Sequence, residues 1–493
     1  MFCLTAISVG SGCETDTAGD PRSTLQESRV DAVQRVTAAE TLWERAQRGE
    51  EPVASARALL KEALWDRDAP PDLRLRAVQL LLSDDRAKAE QENAQLARLL
   101  LPTEPDRRVV AELCRAAAER GWTEASDAIV RRFADDDAAT PDRQRIEAIA
   151  LRELHPSQSL EDILFAEFLS DDAPPGLSGA LDWPGRVRAD AWTVLSRLDP
   201  SGDARRSLLQ SADAAQASPD VAQTLEALRA ASEELRVLPR TAGEFEWVRS
   251  LRDGTDANER WWDQTAGAVS RAQSRFNGAL RLRHLEPIRW ASEHRPRWIE
   301  ASRAELLSML RSRLAGRTHH ARWAEGEISR SASDERLEDW QHQMRWPDVL
   351  AMLVVDEAVR HPEVVRSFRA YAVADREDTG TEYGGVLEAQ QDGDGFRAVL
   401  FPPRQRDRVG DQSFIASGDM LAASDRALAH FHMQVRRANN AEFAGPSPED
   451  LLYAKRSGRT GVVITSISRG KMNIDAYQPD GVIIDLGEIR TGG

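Results

Sequence analysis

Four breaks bearing Asp, Thr and Pro recur through the first half of this chain, and their spacing constrains the fold more than any other feature. Asp68-Ala69-Pro70-Pro71, Thr103-Glu104-Pro105, Ala139-Thr140-Pro141 and Asp172-Ala173-Pro174-Pro175 follow one another at intervals of 33 to 36 residues. Proline has no backbone N–H and clashes with the preceding turn, so each break ends a helix or begins one. Between breaks the apolar residues keep helical spacing, as in Leu59, Leu60, Leu64 and Trp65, then Leu75, Val78, Leu81 and Leu82. A period of this length suits pairs of antiparallel helices stacked one upon the next.

The region 28–240 is therefore expected to be an α-helical repeat array. It resembles HEAT-like and TPR-like arrays without carrying either signature, and an irregular helical domain is the alternative. The 493 residues exceed one ordinary core and favour two or three domains. A hydrophobic fraction of 41% with 30% charged residues suits a folded globular chain. The formal net charge of −16 argues against nucleic-acid binding, which needs a basic footprint. It also weighs against adsorption of the folded body to an anionic membrane. The three cysteines, Cys3, Cys13 and Cys114, supply neither a disulfide framework nor a thiolate zinc site. Cys114 follows Val109-Val110-Ala111-Glu112-Leu113 and reads as a small core residue.

No run of about 18 or more apolar residues occurs, so no transmembrane helix is expected. Met1 to Val9 is nevertheless apolar, Gly10-Ser11-Gly12 leads to Cys13, and the chain turns polar at Glu14. This pattern resembles the end of a bacterial lipoprotein signal with Cys13 as the lipidated residue. It departs from that pattern in having no Lys or Arg before the apolar run and Gly10 where a larger aliphatic is usual. The expectation is a signal and flexible tether over 1–27, a location in the bacterial cell envelope, and membrane attachment through the lipid alone.

Residues 241–345 are helical in pattern and rich in Trp and Arg. Trp247, Trp261, Trp262, Trp290, Trp298, Trp323 and Trp340 read as core and helix-packing residues beside solvated arginine faces. His319-His320 points its rings to different helix faces, which argues against a shared metal. Every Trp lies at or before Trp346, and beyond about residue 375 the pattern becomes strand-rich. Val462-Val463-Ile464-Thr465, Met472 to Tyr477 and Val482 to Leu486 form a meander with turns at Arg469-Gly470 and Pro479-Asp480-Gly481. A mixed α/β domain is thus expected over 346–493.

Within that domain, a helix from Gly418 capped by Ser417, then a strand from about Ala429, would place His430 and His432 on one face and Phe431 on the other. Two imidazoles so placed can grip zinc. Ser447-Pro448-Glu449-Asp450 has the residues of an ordinary helix start, with Ser at the N-cap and Pro at N1. That role does not exclude Asp450 as a third ligand, since a helix start holds it rigidly. Glu382, before Gly384-Gly385-Val386-Leu387, is placed to exchange a proton with zinc-bound water, and Glu377 and Glu388 compete for that role.

Glu382, Gly385 and Leu387, then His430 and His432, then Ser447 and Asp450 together resemble the JAMM/MPN (JAB-domain) metalloprotease pattern of Glu-x-x-Gly-x-Leu, His-x-His and Ser-x-x-Asp. The resemblance implies an α/β domain of that type with one zinc per chain on His430, His432 and Asp450. It implies Glu382 as general acid/base and Ser447 as a stabiliser of the tetrahedral oxyanion. Phe431 stands where the family has Ser or Thr, and Met433 where it has Pro. The stretch from Met433 to Pro446 is longer than usual, and its Arg436, Arg437, Asn439 and Asn440 would border the site.

The expected protein is thus a zinc hydrolase of amide, peptide or isopeptide bonds, acting on a peptide or protein substrate. A protein partner would bind the helical repeats, and a lipid on Cys13 would tether the chain. The alternative is a non-catalytic helical-repeat scaffold lipoprotein whose MPN-like domain holds no metal.

Overall fold

The computed structural model describes residues 20–135, 139–175, 182–276, 278, 280–322, 335–390, 393–408, 410 and 414–490. Cys13 and its flanks lie outside these residues, as does Trp323. The chain divides into two compact units. One runs to Ile163 and includes Asp172–Trp183; the other comprises Leu164–Asp171 and everything from Pro184.

The first unit is helical: α1 (Pro21–Gln26), α2 (Ala32–Gln47), α3 (Val53–Trp65), α4 (Pro71–Leu82), α5 (Ala87–Leu100), α6 (Arg107–Arg120), α7 (Ser126–Ala134), α8 (Ile146–Leu154) and the start of α9 (Leu160–Leu169). Helices α4, α6 and α8 each follow one of the first three breaks. Pro71 opens α4, and Asp31 and Asp106 cap α2 and α6 by accepting the N–H of Val33 and of Arg108. Helix α2 packs on α4, α4 on α6 and α6 on α8, while α5 packs on α7. Leu42, Leu60, Leu73, Leu113, Ile129 and Leu151 fill the space between them.

Buried arginines recur through this stack and escaped the sequence reading. Arg35 donates to the carbonyl of Leu25 at 3.0 Å, Arg74 to that of Leu64 at 2.6 Å and Arg145 to that of Asp135 at 2.7 Å. Each spans ten residues backwards, from near the start of one helix to the end of an earlier one. Helix ends leave carbonyls without partners, and these guanidinium groups satisfy them. The same device corrects the expectation of a tether through residue 27. Asp20 caps α1, Leu25 is buried, and Arg35 holds its carbonyl.

The second unit contains α10 (Trp183–Leu198), α11 (Asp203–Ser211), α12 (Pro219–Glu233), α13 (Ala242–Leu251), α14 (Asp256–Ala272), α15 (Leu285–His294), α16 (Pro296–Glu300), α17 (Arg303–Leu314), α18 (Leu337–Trp340), α19 (Trp346–Val359) and α20 (Pro362–Glu377). A six-stranded sheet follows, of order β2-β1-β3-β4-β5-β6. Its strands are β1 (Gly384–Ala389), β2 (Phe396–Leu400), β3 (Ala429–Gln434), β4 (Gly461–Ser468), β5 (Lys471–Tyr477) and β6 (Ile483–Arg490). Helices α21 (Gly418–Ala423) and α22 (Pro448–Ser457) lie between strands in the chain.

The boundaries expected at 240 and 345 are not unit boundaries. Trp247 donates to the carbonyl of Asp425 at 2.7 Å, and the Arg459 guanidinium lies 3.8 Å from the Trp247 ring centre. Arg317 reaches Leu486, His319 approaches Asp485, and His320 reaches Glu488. The Trp/Arg-rich helices therefore share one body with the sheet. Trp247, Trp261, Trp262, Trp290 and Trp298 are core, as expected, and Trp340 is half-buried, but several arginines stack on these rings: Arg252 on Trp262, Arg295 on Trp290 and Arg313 on Trp298, each about 5 Å from the ring centre.

Strands β4, β5 and β6 form the expected antiparallel meander. Strands β3 and β4 are parallel, a pairing that needs a crossover, and α22 supplies it. Helix α19 is buried on every side, with only Glu357 partly exposed, the mark of a central helix. Phe431 faces α20, with its ring 5.3 Å from Phe368 and stacked 6.3 Å from Tyr371. The opposite face of β3 carries His430 and His432. Ala454 and Leu451 of α22 pack there on Val463 and Tyr477.

Candidate functional site

Strand β3 pairs with β1 so that Gly384 stands opposite His432 and Val386 opposite His430. A Cβ at Gly384 would lie 2.6 Å from the Phe414 ring, and one at Gly385 would lie 2.0 Å from the Val399 carbonyl oxygen. Only glycine lets the strands close at this point, which explains the Gly-Gly pair. Just upstream, Tyr383 N–H bonds to Asp375 at 2.7 Å, and Met433 N–H bonds to the Tyr383 carbonyl at 2.9 Å. These bonds hold the backbone beside Glu382 against the end of β3.

A cleft of about 490 Å³ opens above β3. Glu382, His430, His432, Ser447 and Asp450 all line it, so five residues from three separate segments meet in one place. Glu388 instead pairs with Arg397 of β2, and neither it nor Glu377 lines the cleft. Geometry thus selects Glu382 among the three glutamates.

His432 and Asp450 are in contact, with Nε2 3.4 Å from Oδ2. Burial opposes charge on both side chains, and their mutual attraction overcomes it. The imidazole is raised to about 9, mainly by Asp450 and further by nearby Glu382. The carboxyl is lowered to about 2. His430 differs: burial, with some help from Arg459, pushes it well below the usual histidine range. Its Nδ1 lies 2.8 Å from the Tyr453 hydroxyl. Its Nε2 is buried with no hydrogen-bond partner.

Ser447 caps α22 as its sequence suggests. Its N–H and its hydroxyl both donate to Asp450 Oδ2, at 2.8 and 2.9 Å, and its Oγ accepts from Asp450 N–H. A serine hydroxyl has one proton. In this arrangement that proton belongs to Asp450 rather than to an incoming oxyanion.

Among the described residues, no three His, Cys, Asp or Glu side chains close around one point as a ready-made cation cage. The expected convergence of His430, His432 and Asp450 is therefore incomplete: two are in contact and the third lines the same cleft. The donor set still fits zinc in kind. Two imidazoles and a carboxylate are the usual open-site ligands, and two such donors on a tetrahedral zinc stand about 3.3 Å apart, close to the His432–Asp450 separation. The Nε2 of His430, buried with no hydrogen-bond partner, is an atom that a cation could satisfy.

Three contributors were not singled out from the sequence. Tyr453 lies three residues after Asp450, a spacing that puts both on one face of α22 and that could have flagged it. Tyr477 reaches the cleft from β5, passing over Gly461, where a Cβ would lie 2.1 Å from its ring. Arg322 lines the opening with its guanidinium 5.5 Å from the Phe443 ring centre. The longer segment after Met433 does border the cleft, through Arg436, Arg437 and Asn440. No protein-family model, characterised protein or solved structure matches this chain.

Proposed function

We propose that the second unit is a zinc-dependent hydrolase of the JAMM/MPN type that cleaves an amide, peptide or isopeptide bond. The observation that carries this reading is the meeting of His432 and Asp450 at 3.4 Å beside a bare, buried His430 Nε2, with Glu382 lining the same cleft. His430, His432 and Asp450 would hold one zinc. When bound, zinc supplies Lewis acidity, polarising the scissile carbonyl and acidifying a water molecule. Glu382, lining the same cleft, would take a proton from the attacking water and pass it to the leaving amine. Ser447 orients Asp450, and it can reach a tetrahedral oxyanion only by turning its hydroxyl away from that carboxylate. The helical first unit would present a protein partner or substrate, and a lipid on Cys13 would hold the protein at a bacterial envelope membrane.

One observation favours the non-catalytic scaffold instead. Asp450 Oδ2 already receives both Ser447 bonds and faces His432, so this corner is self-sufficient as a helix cap and ion pair. Metal analysis of the purified protein separates the two readings. The hydrolase binds about one zinc per chain and loses it in His432→Ala and Asp450→Ala. Glu382→Gln keeps the zinc but loses roughly 100-fold or more of its activity on fluorogenic peptide and isopeptide substrates. Wild-type protein that takes up no zinc is the scaffold.

A further inference from the structure

We infer that Tyr453 is a positioning residue for His430: its hydroxyl oxygen accepts the Nδ1 proton and thereby keeps Nε2 as the nitrogen that offers a lone pair to the cation. The inference rests on the zinc reading above. An imidazole that ligates a cation through one nitrogen is neutral and carries its one proton on the other. Were it on Nε2, a buried N–H would point at no acceptor, because Nε2 has no hydrogen-bond partner. Placed on Nδ1, the proton meets the Tyr453 oxygen at 2.8 Å and leaves Nε2 bare, the form a metal requires. Histidines that bind metals commonly donate their second N–H in this way, which fixes both tautomer and ring orientation.

The backbone explains why this tyrosine can do so. Asp450 and Tyr453 stand one turn apart on α22, which Pro448, the Ser447 cap and the Asp450 carboxylate pin at its start. One rigid helix thus addresses both histidines of β3, a carboxylate to His432 and a phenol to His430. The Tyr453 ring lies 5.9 Å from the imidazole, tilted at an interplanar angle of 31°.

Two measurements test this. Zinc affinity by chelator competition should fall roughly 10- to 100-fold in Tyr453→Phe, while the metal-free protein still folds, its thermal midpoint lowered by the lost buried hydrogen bond. In zinc-loaded wild type with 15N-labelled histidine, the His430 resonances should show the proton on Nδ1. The second measurement needs no variant and decides the matter if Tyr453→Phe does not fold. Zinc bound equally well by wild type and Tyr453→Phe, or a His430 proton found on Nε2, overturns the role of Tyr453 alone. Absence of zinc from wild type overturns the zinc reading and this role together.

Discussion

Replacing Arg74 tests whether buried arginines hold the helical stack together. Arg74 is about 6% exposed and Glu104 about 1%, so their ion pair is shielded from water. Arg74 Nη1 also donates to the carbonyls of Leu64 at 2.6 Å and Asp66 at 2.9 Å, and Glu104 accepts the N–H of Asp106 at 2.9 Å. Arg74→Met removes the cation and leaves a buried carboxylate with one backbone donor. Breaking such a pair from one side costs about 3–5 kcal/mol. Arg74 Nε has no partner, so its removal also relieves one unsatisfied proton, and the lower end, about 3 kcal/mol, is expected. Glu104→Gln keeps an acceptor for Asp106 and should cost about 1–3 kcal/mol. The double variant strands no charge and should be milder than the sum by about 2 kcal/mol. Hydrogen exchange by mass spectrometry in the full chain reads the effect over Pro71–Leu82, where protection should fall roughly 100-fold in Arg74→Met. Two results would refute the reasoning. One is a loss below about 1 kcal/mol for Arg74→Met; the other is additivity within about 0.5 kcal/mol in the cycle.

Phe431 should bear most of the packing that orients the histidine strand. Phe431→Ala is expected to cost about 3–5 kcal/mol in urea unfolding followed by near-UV dichroism, and a cost below about 1 kcal/mol would show that α20 does not depend on this ring. Cys114 is fully buried, and burial pushes its thiol far above the usual range. Iodoacetamide should therefore leave Cys114 unmodified in the native protein and label it after unfolding, as peptide mapping would show; rapid native labelling would contradict its place in the core.

What the sequence made legible was whatever depends on local rules. Alternation along a strand put His430 and His432 on one face and Phe431 on the other, and that prediction needed no knowledge of neighbours. The Ser447 cap and the Ser417 cap follow from hydrogen bonding within four residues. The meander was legible because its turns carry Gly and Pro. The contents of the cleft depend instead on where the crossover helix lands. Because β3 and β4 are parallel, α22 must pass over one sheet face, and its first turn comes down beside His432 and its second beside His430. Spacing on α22 could have placed Asp450 and Tyr453 together, but nothing in the order of residues said which imidazole each would meet.

The same distinction explains the misplaced boundaries. Trp247 and Asp425 are 178 residues apart, and no composition shift at 345 could reveal that the helix of one packs on the loop of the other. Composition marks where the local pattern changes, whereas a compact unit is defined by which surfaces are buried together. The histidine strand shows the consequence for chemistry. Its one face is packed by Phe368 and Tyr371 of α20, and its other is addressed by α22, which itself packs on α13. Helices from the Trp/Arg-rich region and from the strand-rich region thus hold the site jointly. The second unit cut at residue 346 would lose α13, on which α22 packs, so His432, although present, would be held less firmly against Asp450.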